Sequence, residues 1–579
     1  MILLSLPSAP FSSRRPAGSP AAPVGLRGRW VRSIQPGFWL RLIWGLIGAG
    51  LLIRLLQASN LPGTYPPELD VLFYGGQRLL HGQWLYQGLF TGSLPLAQLL
   101  FAPSAWIGSI QAHRLLILTL NLMGGVLVWS ALRRCGRLGL MPLPPGSPLP
   151  WLGGALFVTF SQIFPEGSSG HLHQFVNLFL VAAFERGTAL AEACPAGLPL
   201  PGPLQLRSPL WRRLALIGLL LVLACSCLMQ VSPPLLMVLA LLLVRCRQRQ
   251  GLVAPLLAGM ALGIALLFLP YLLLPDGPRH AWAGAVLLPI EWSSRVPQPE
   301  TPLLAALGRW LTTRLDGLPL WVLLPIPLVG LVRLATGQLL LPGLAVVYVL
   351  ELLLTLQRGD LDGHDLLLTV PALVLLLICG LAGLQWPARR WSRRLAGLMV
   401  VGLSLIYLIN IFSVSLSHTP RLNRLVREVE ADRSRVRRYL RALSAPERAF
   451  TAPQDVALQH QLDEPAATVG IGPAWSLNQQ QLQPSAATRT LGLPTDAEAV
   501  CGQLTDPPTR QLVWMRTDPD GPNSLAFLQD CLRRDGGWRD LSAELGLASG
   551  EYRLFVRQDR SNGSQRSAPA LPGSRFGMP

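Results

Sequence analysis

LLLTVPALVLLLICGLAGL, residues 366–384, carries no charged side chain, and QWPARRWSRR, residues 385–394, follows it directly. A helix crossing a hydrocarbon core about 30 Å thick needs about 20 mostly apolar residues, so the first segment reads as a membrane span. The four arginines Arg389, Arg390, Arg393 and Arg394 then mark the cytoplasmic side on which it lands, because basic residues concentrate in short cytoplasmic loops.

Working outward from that span, the same alternation runs through most of the chain. The predicted outward spans are Phe38–Leu56, Trp151–Phe164, Leu214–Met229, Leu252–Leu274, Leu339–Leu356 and Leu395–Leu416. The returning spans are Arg114–Leu132, Phe175–Leu190, Pro233–Val244, Pro319–Val332 and Leu366–Leu384. Glu185 and Arg186 place the effective end of the Phe175 span earlier than Leu190. The arginines at 133, 134 and 137, and those at 245, 247 and 249, fall on the cytoplasmic side. Leu94–Ile110 is apolar but broken by Pro95, Gln98, Pro103 and Ser104. Counting it as a span would put Arg133, Arg134 and Arg137 outside, so it reads as a helix lying in the outer interface.

The composition agrees. The 579 residues are 50% hydrophobic and only 14% charged, against about 25% charged in soluble domains. The net charge of +18 comes from 49 basic residues, all of them arginine. With spans present, that excess sets topology and does not point to nucleic acid. The predicted organisation is a disordered cytoplasmic N-terminus (1–36), a membrane domain of about eleven helices (37–416), an extracytoplasmic α/β domain (417–558) and a disordered tail (559–579). The arginines crowded between 421 and 441 pull the other way, but long domains cross membranes largely regardless of charge.

The loops 57–113, 165–174, 275–318 and 357–365 all fall on the outer side and hold nearly all the acidic residues of the membrane region. Carboxylates and cations converging there suit proton transfer beside a phosphate-bearing lipid, although water contact alone also makes loops polar. The first loop reads Tyr65-Pro-Pro-Glu68-Leu-Asp70-Val-Leu-Phe-Tyr74-Gly-Gly-Gln-Arg-Leu-Leu-His-Gly82-Gln-Trp-Leu-Tyr86, then Leu94-Pro95-Leu96. An acid after the first span, a Tyr four residues on, a short helix ending in Gly before an aromatic, and a Pro step opening the next helix follow in order. That order resembles the membrane-embedded GT-C glycosyltransferases, in the bacterial branch near the protein mannosyltransferases and aminoarabinose transferases. The likeness covers roughly residues 37–190. Later, Gly363-His364-Asp365-Leu-Leu-Leu-Thr-Val-Pro371 is similar to a His-containing step before a late span in these enzymes.

The resemblance implies an inverting transferase without a cofactor, which moves a sugar from a polyprenyl-phosphate donor to a lipid, glycan or protein acceptor outside a bacterial inner membrane. It implies Asp70 as the acid at the acceptor, Glu68 as the second candidate and Tyr74 one helical turn on. A helix cap is the plainer role for Asp70. Arg295, Arg358 and His364 are the candidates for the donor phosphate. The chain departs from the family in separating Glu68 from Asp70 by Leu69 and in placing Ser93 where a basic residue is common. A glycolipid transporter and a polysaccharide polymerase remain as alternatives. A transporter needs charges inside its spans, and here ionisable residues inside the spans are few (Arg54 and Glu351), while the polar weight sits in the external loops.

His171-Leu-His173 lacks the third ligand that a metal site needs. Cys225 and Cys227 fall inside an apolar run and read as small core residues. In the C-terminal domain, helical periodicity marks Leu422 to Leu443. Strands are expected at Thr468–Ile471, Gln511–Arg516 and Tyr552–Val556, with a helix at Leu525–Arg534. Cys501 and Cys531 are placed to pair if that domain lies in an oxidising compartment.

Overall fold

In an apolar medium only helices and closed barrels satisfy every backbone amide internally, and most of the described apolar runs are helical. The computed structural model describes residues 67–86, 94–108, 110–143, 147–163, 170–193, 208–228, 250–295, 302–315, 318–328, 340–356, 365–383, 448–452, 485–492, 510–516, 526–547 and 552–557, and single positions or short stretches at 45, 48, 238, 431–432, 434–436, 438–439 and 498.

The helices are α1 (Pro67–Leu80), α2 (Pro95–Ile107), α3 (Ile110–Arg137), α4 (Leu149–Ile163), α5 (Leu172–Ala193), α6 (Pro209–Cys227) and α7 (Gln250–Phe268). They continue with α8 (Gly277–Trp282), α9 (Leu288–Arg295), α10 (Leu303–Thr312), α11 (Leu340–Leu356) and α12 (Val370–Gly383). Among the described residues four helices are long and apolar enough to cross a membrane: Ala112–Arg137, Pro209–Cys227, Leu252–Leu273 and Asp365–Gly383. The predicted spans at 38–56, 233–244 and 395–416 lie outside the described residues, apart from single positions. At about 1.5 Å per residue, α4 with its 15 residues is shorter than a hydrocarbon core. Helix α2, of 13 residues with Pro103 inside it, is shorter still and lies against α1.

Burial sorts the spans. The window of the Asp365–Gly383 span is 89% buried, whereas that of Leu252–Leu273 is 33% buried. The first is the centre of the bundle, packed against α4, α5 and α11. The second turns Leu257, Leu262, Ile264, Leu266 and Leu269 outward, the face expected of a helix against lipid. Without a hydrophobic drive between helices in lipid, close packing relies on small residues. On α7, Gly259 and Gly263 face α6, and a Cβ on Gly259 would fall on the Ala215 carbonyl. Gly218 of α6 meets the Leu256 carbonyl in the same way, so the two backbones touch.

Two expectations are corrected. Glu185 does not end its helix early, because α5 runs on to Ala193. The buried Glu185 carboxylate is met by Arg134 and the Ser130 hydroxyl of α3 and by Arg186, while Glu192 pairs with Arg137 at 2.9 Å. Paired in this way, the charge stays inside the bundle. Nor does a helix begin at Pro319. Strands β1 (Arg314–Leu315) and β2 (Leu318–Pro319) pair antiparallel, and Leu320–Leu323 forms a 3₁₀ turn.

In the C-terminal part, β3 (Arg448–Ala452), β4 (Arg510–Arg516), β5 (Trp538–Asp540) and β6 (Tyr552–Arg557) form one sheet in the order β3-β4-β6-β5. The β3–β4 pair is parallel and the others are antiparallel. Helices α13 (Ala486–Leu491) and α14 (Ala526–Asp535) accompany it. The strands expected at 511–516 and 552–556 and the helix at 525–534 are all present, within one residue or so of the expected ends. The strand expected at 468–471 lies outside the described residues.

Candidate functional site

The register of α1 sets Asp70, Tyr74 and Arg78 four residues apart, which places them on one face of the helix. Glu68 and Asp70 both lie in its first turn, where the helix dipole favours acidic residues. The opposite neighbours hold the helix down. Phe73 meets Phe101 edge-on at 5.3 Å and His113 at 4.9 Å. At Gly76 the backbone of Phe101–Ala102 on α2 is so close that a Cβ would not fit.

Tyr74 is buried. The Arg78 guanidinium lies 5.5 Å from the centroid of its ring and donates a hydrogen bond to its hydroxyl. Arg78 itself is only 4% exposed, yet its Nε and Nη1 have no hydrogen-bond partner. Burying a charge without a carboxylate costs several kcal/mol, so this cation is held against a strong tendency to stay hydrated. Burial lowers the Arg78 pKa from its ordinary value, and the neighbouring Tyr74 opposes that shift. Burial raises the Tyr74 pKa, with Arg78 acting against it.

After α1 the chain turns at Gly82, with φ +78°, and its amide bonds the Leu79 carbonyl at 2.9 Å. The Leu85 amide then donates to Oε1 of Gln98 at 2.9 Å, pinning the turn to α2. Next comes Tyr86, buried and at φ +68°, a left-handed conformation that costs a non-glycine residue about 1–2 kcal/mol. Strain of this kind gathers at functional sites. Burial carries the Tyr86 pKa well above the ordinary tyrosine value, and Tyr271 adds to the shift.

The partner of this turn is the long segment after α7. It contains a 3₁₀ turn at Leu269–Leu273, α8, a π-helical turn at Ala283–Leu287 and α9. π-Helical turns inside α-helices recur at functional sites. Here the turn brings Gly284 against the Tyr86 ring so closely that a Cβ would overlap it. Trp84 and Tyr86 lie 5.9 Å and 6.2 Å from Tyr271. Helix α13 packs on the π-turn, α8 and α9. Leu491 of α13, Leu532 of α14 and Phe555 of β6 join Tyr74, Tyr86 and Leu288 in one apolar cluster. The C-terminal part therefore covers the first loop and the loop after α7 together.

Of the sequence-predicted residues, Glu68, Asp70 and Tyr74 sit on α1 and Arg295 ends α9, two elements that share this cluster. Arg358 and His364 lie outside the described residues. Sequence reasoning assigned no role to Arg78, although the four-residue step from Tyr74 that singles out Asp70 also reaches it in the other direction. Tyr271 and the positive φ of Tyr86 left no signal.

A second polar group sits at the ends of the spans. His113 Nε2–H donates to the Gly170 carbonyl at 3.0 Å, which leaves Nδ1 to accept from the Ser104 hydroxyl at 3.0 Å. His173 Nε2 meets the Asp365 carboxylate at 3.0 Å. Asn177 donates to the Leu367 carbonyl at 2.8 Å, and Trp310 donates to the Thr369 hydroxyl at 3.0 Å. This group ties α5 and α10 to the start of the central span. His171 and His173 approach edge-on, but among the described residues no three His, Cys, Asp or Glu side chains gather where they could hold a metal ion.

Compared with known proteins, the chain matches no family model and no curated protein.

Proposed function

We propose that the chain is a GT-C-type glycosyltransferase of a bacterial inner membrane, with its C-terminal domain outside the cytoplasm, that uses a polyprenyl-phosphate-linked sugar. The observation that carries this reading is α1, whose register sets Asp70, Tyr74 and Arg78 in step and whose Tyr74 shares one apolar cluster with the loop after α7 and α13. An acid, an aromatic and a buried cation in one row are the groups that such a transfer needs.

In this reading Asp70 accepts the proton of an acceptor hydroxyl as its oxygen attacks the anomeric carbon. The new carbon–oxygen bond forms as the bond to the phosphate oxygen breaks, with inversion. The electron pair leaves on the polyprenyl phosphate. Glu68 is the alternative base, and Tyr74 orients the reacting groups. The donor lipid, a lipid, glycan or protein acceptor and the surrounding bilayer are the partners.

A glycolipid transporter is the competing class. The buried charges of the described spans, Glu185 and Asp365, are each paired inside the bundle, whereas a transport site near the midplane needs charges free to meet its cargo. That favours the enzyme. A polysaccharide polymerase would share the donor and differ in making a chain. The test uses purified protein in nanodiscs, a radiolabelled polyprenyl-phosphate sugar and cell-envelope acceptors. Transfer of one sugar with release of polyprenyl phosphate supports the reading. A ladder of products supports the polymerase, and translocation of intact glycolipid without cleavage supports the transporter.

A further inference from the structure

We propose that Arg78 is the cation of an enclosed anion-binding site between α1, the loop after α7 and the cover provided by α13, and that the anion it takes is a phosphate group. Naming the anion a phosphate rests on the transferase reading. The site itself rests on geometry.

A guanidinium carries five N–H donors and no acceptor. Arg78 spends its hydrogen bonding on the Tyr74 hydroxyl, while Nε and Nη1 remain buried and unpaired. Stacking over the Tyr74 ring supplies about 0.5–2 kcal/mol, less than the several kcal/mol that burying the charge costs. The deficit is met when an anion completes the donor set, because hydrogen bonds between ions are roughly twice as strong as neutral ones. The surroundings are built in the same sense. His280 on α8 holds a buried ring nitrogen, Nδ1, without a partner, and in the tautomer protonated there it donates to an anion. Tyr86 is held in a left-handed conformation against the π-turn. A phosphate that replaces water beneath α13 meets these groups in a low-dielectric space, where each contact counts for more.

The experiment measures equilibrium binding of farnesyl phosphate, farnesol and inorganic phosphate to the full chain in nanodiscs, for wild type, Arg78→Lys and Arg78→Gln. Wild type should bind farnesyl phosphate, and Arg78→Gln should weaken it about 10- to 100-fold, the worth of one charged hydrogen-bonded contact. Arg78→Lys should fall between, since a point charge replaces the planar fork. Competition by inorganic phosphate would mean that a free phosphate suffices. Binding of farnesyl phosphate without such competition would assign the site to a lipid headgroup. Equal affinities of wild type and a folded Arg78→Gln, or farnesol binding as tightly as its phosphate, would overturn the proposal. If Arg78→Gln does not fold, Arg78→Lys decides the matter, and wild-type affinity in that variant overturns it. Arg78-dependent binding by a wild-type protein that transfers no sugar would sink the transferase reading and leave the anion site standing.

Discussion

Tyr86 and Tyr74 show how much one side chain can reveal once its surroundings are known. Both phenols are buried and have pKa values above the ordinary 10.0. A group whose folded pKa is raised contributes stability below its unfolded pKa and loses it as pH climbs through the folded one. The thermal midpoint should therefore fall as pH rises beyond about 10, and Tyr86→Phe should flatten that fall. A pH series of unfolding curves checks both. At the start of the central span, His173→Ala strands the buried Asp365 carboxylate, a loss of about 3–5 kcal/mol. Asp365→Asn keeps an acceptor for His173 and should cost less, which chemical denaturation can rank. The site was half legible at this scale. Asp70 and Tyr74 stand out in the sequence because their spacing is local, while the pairing of residues 173 and 365 joins segments far apart in the chain and has no local signature.

Helices written as unbroken apolar runs were the most legible elements, and α3, α6, α7 and α12 lie where hydropathy puts them. Legibility failed where tertiary contact overrides composition. Helix α5 keeps Glu185 inside because α3 supplies Arg134, a partner that no local window contains. The short α13 escaped notice, although it carries a capping box from Ser485 to Thr488, because six residues are too few for a periodic signal. The α6–α7 contact offers a sharp test of packing. Gly259→Val should force the backbones apart, since even a Cβ meets the Ala215 carbonyl, and overpacking of this kind costs about 1–3 kcal/mol or more. Gly343→Ala on α11, where a Cβ meets nothing, should be neutral or gain up to about 1 kcal/mol. Folded yield after detergent extraction separates the two.

Among the described residues, α13, α14 and β6 of the C-terminal part share one apolar cluster with the first loop and the segment after α7. Cys531 on α14 is disulfide-bonded, with a partner outside the described residues. The sequence nominates Cys501, and a peptide map of thiol-blocked, non-reduced protein should recover those two cysteines cross-linked. An alkylated thiol at position 531 would contradict this and weaken the placement of the domain outside the cytoplasm. The span count was less legible than the membrane character, because Arg-rich loops fix direction while prolines and short helices blur where each crossing starts. What most directly tests the account is sugar transfer from a labelled polyprenyl-phosphate donor by purified wild type and Asp70→Asn, matched for accumulation in the membrane. The account predicts turnover by wild type and none by the variant, whose stability should drop by no more than about 1 kcal/mol, the worth of a lost helix cap. Near wild-type turnover by Asp70→Asn would contradict it.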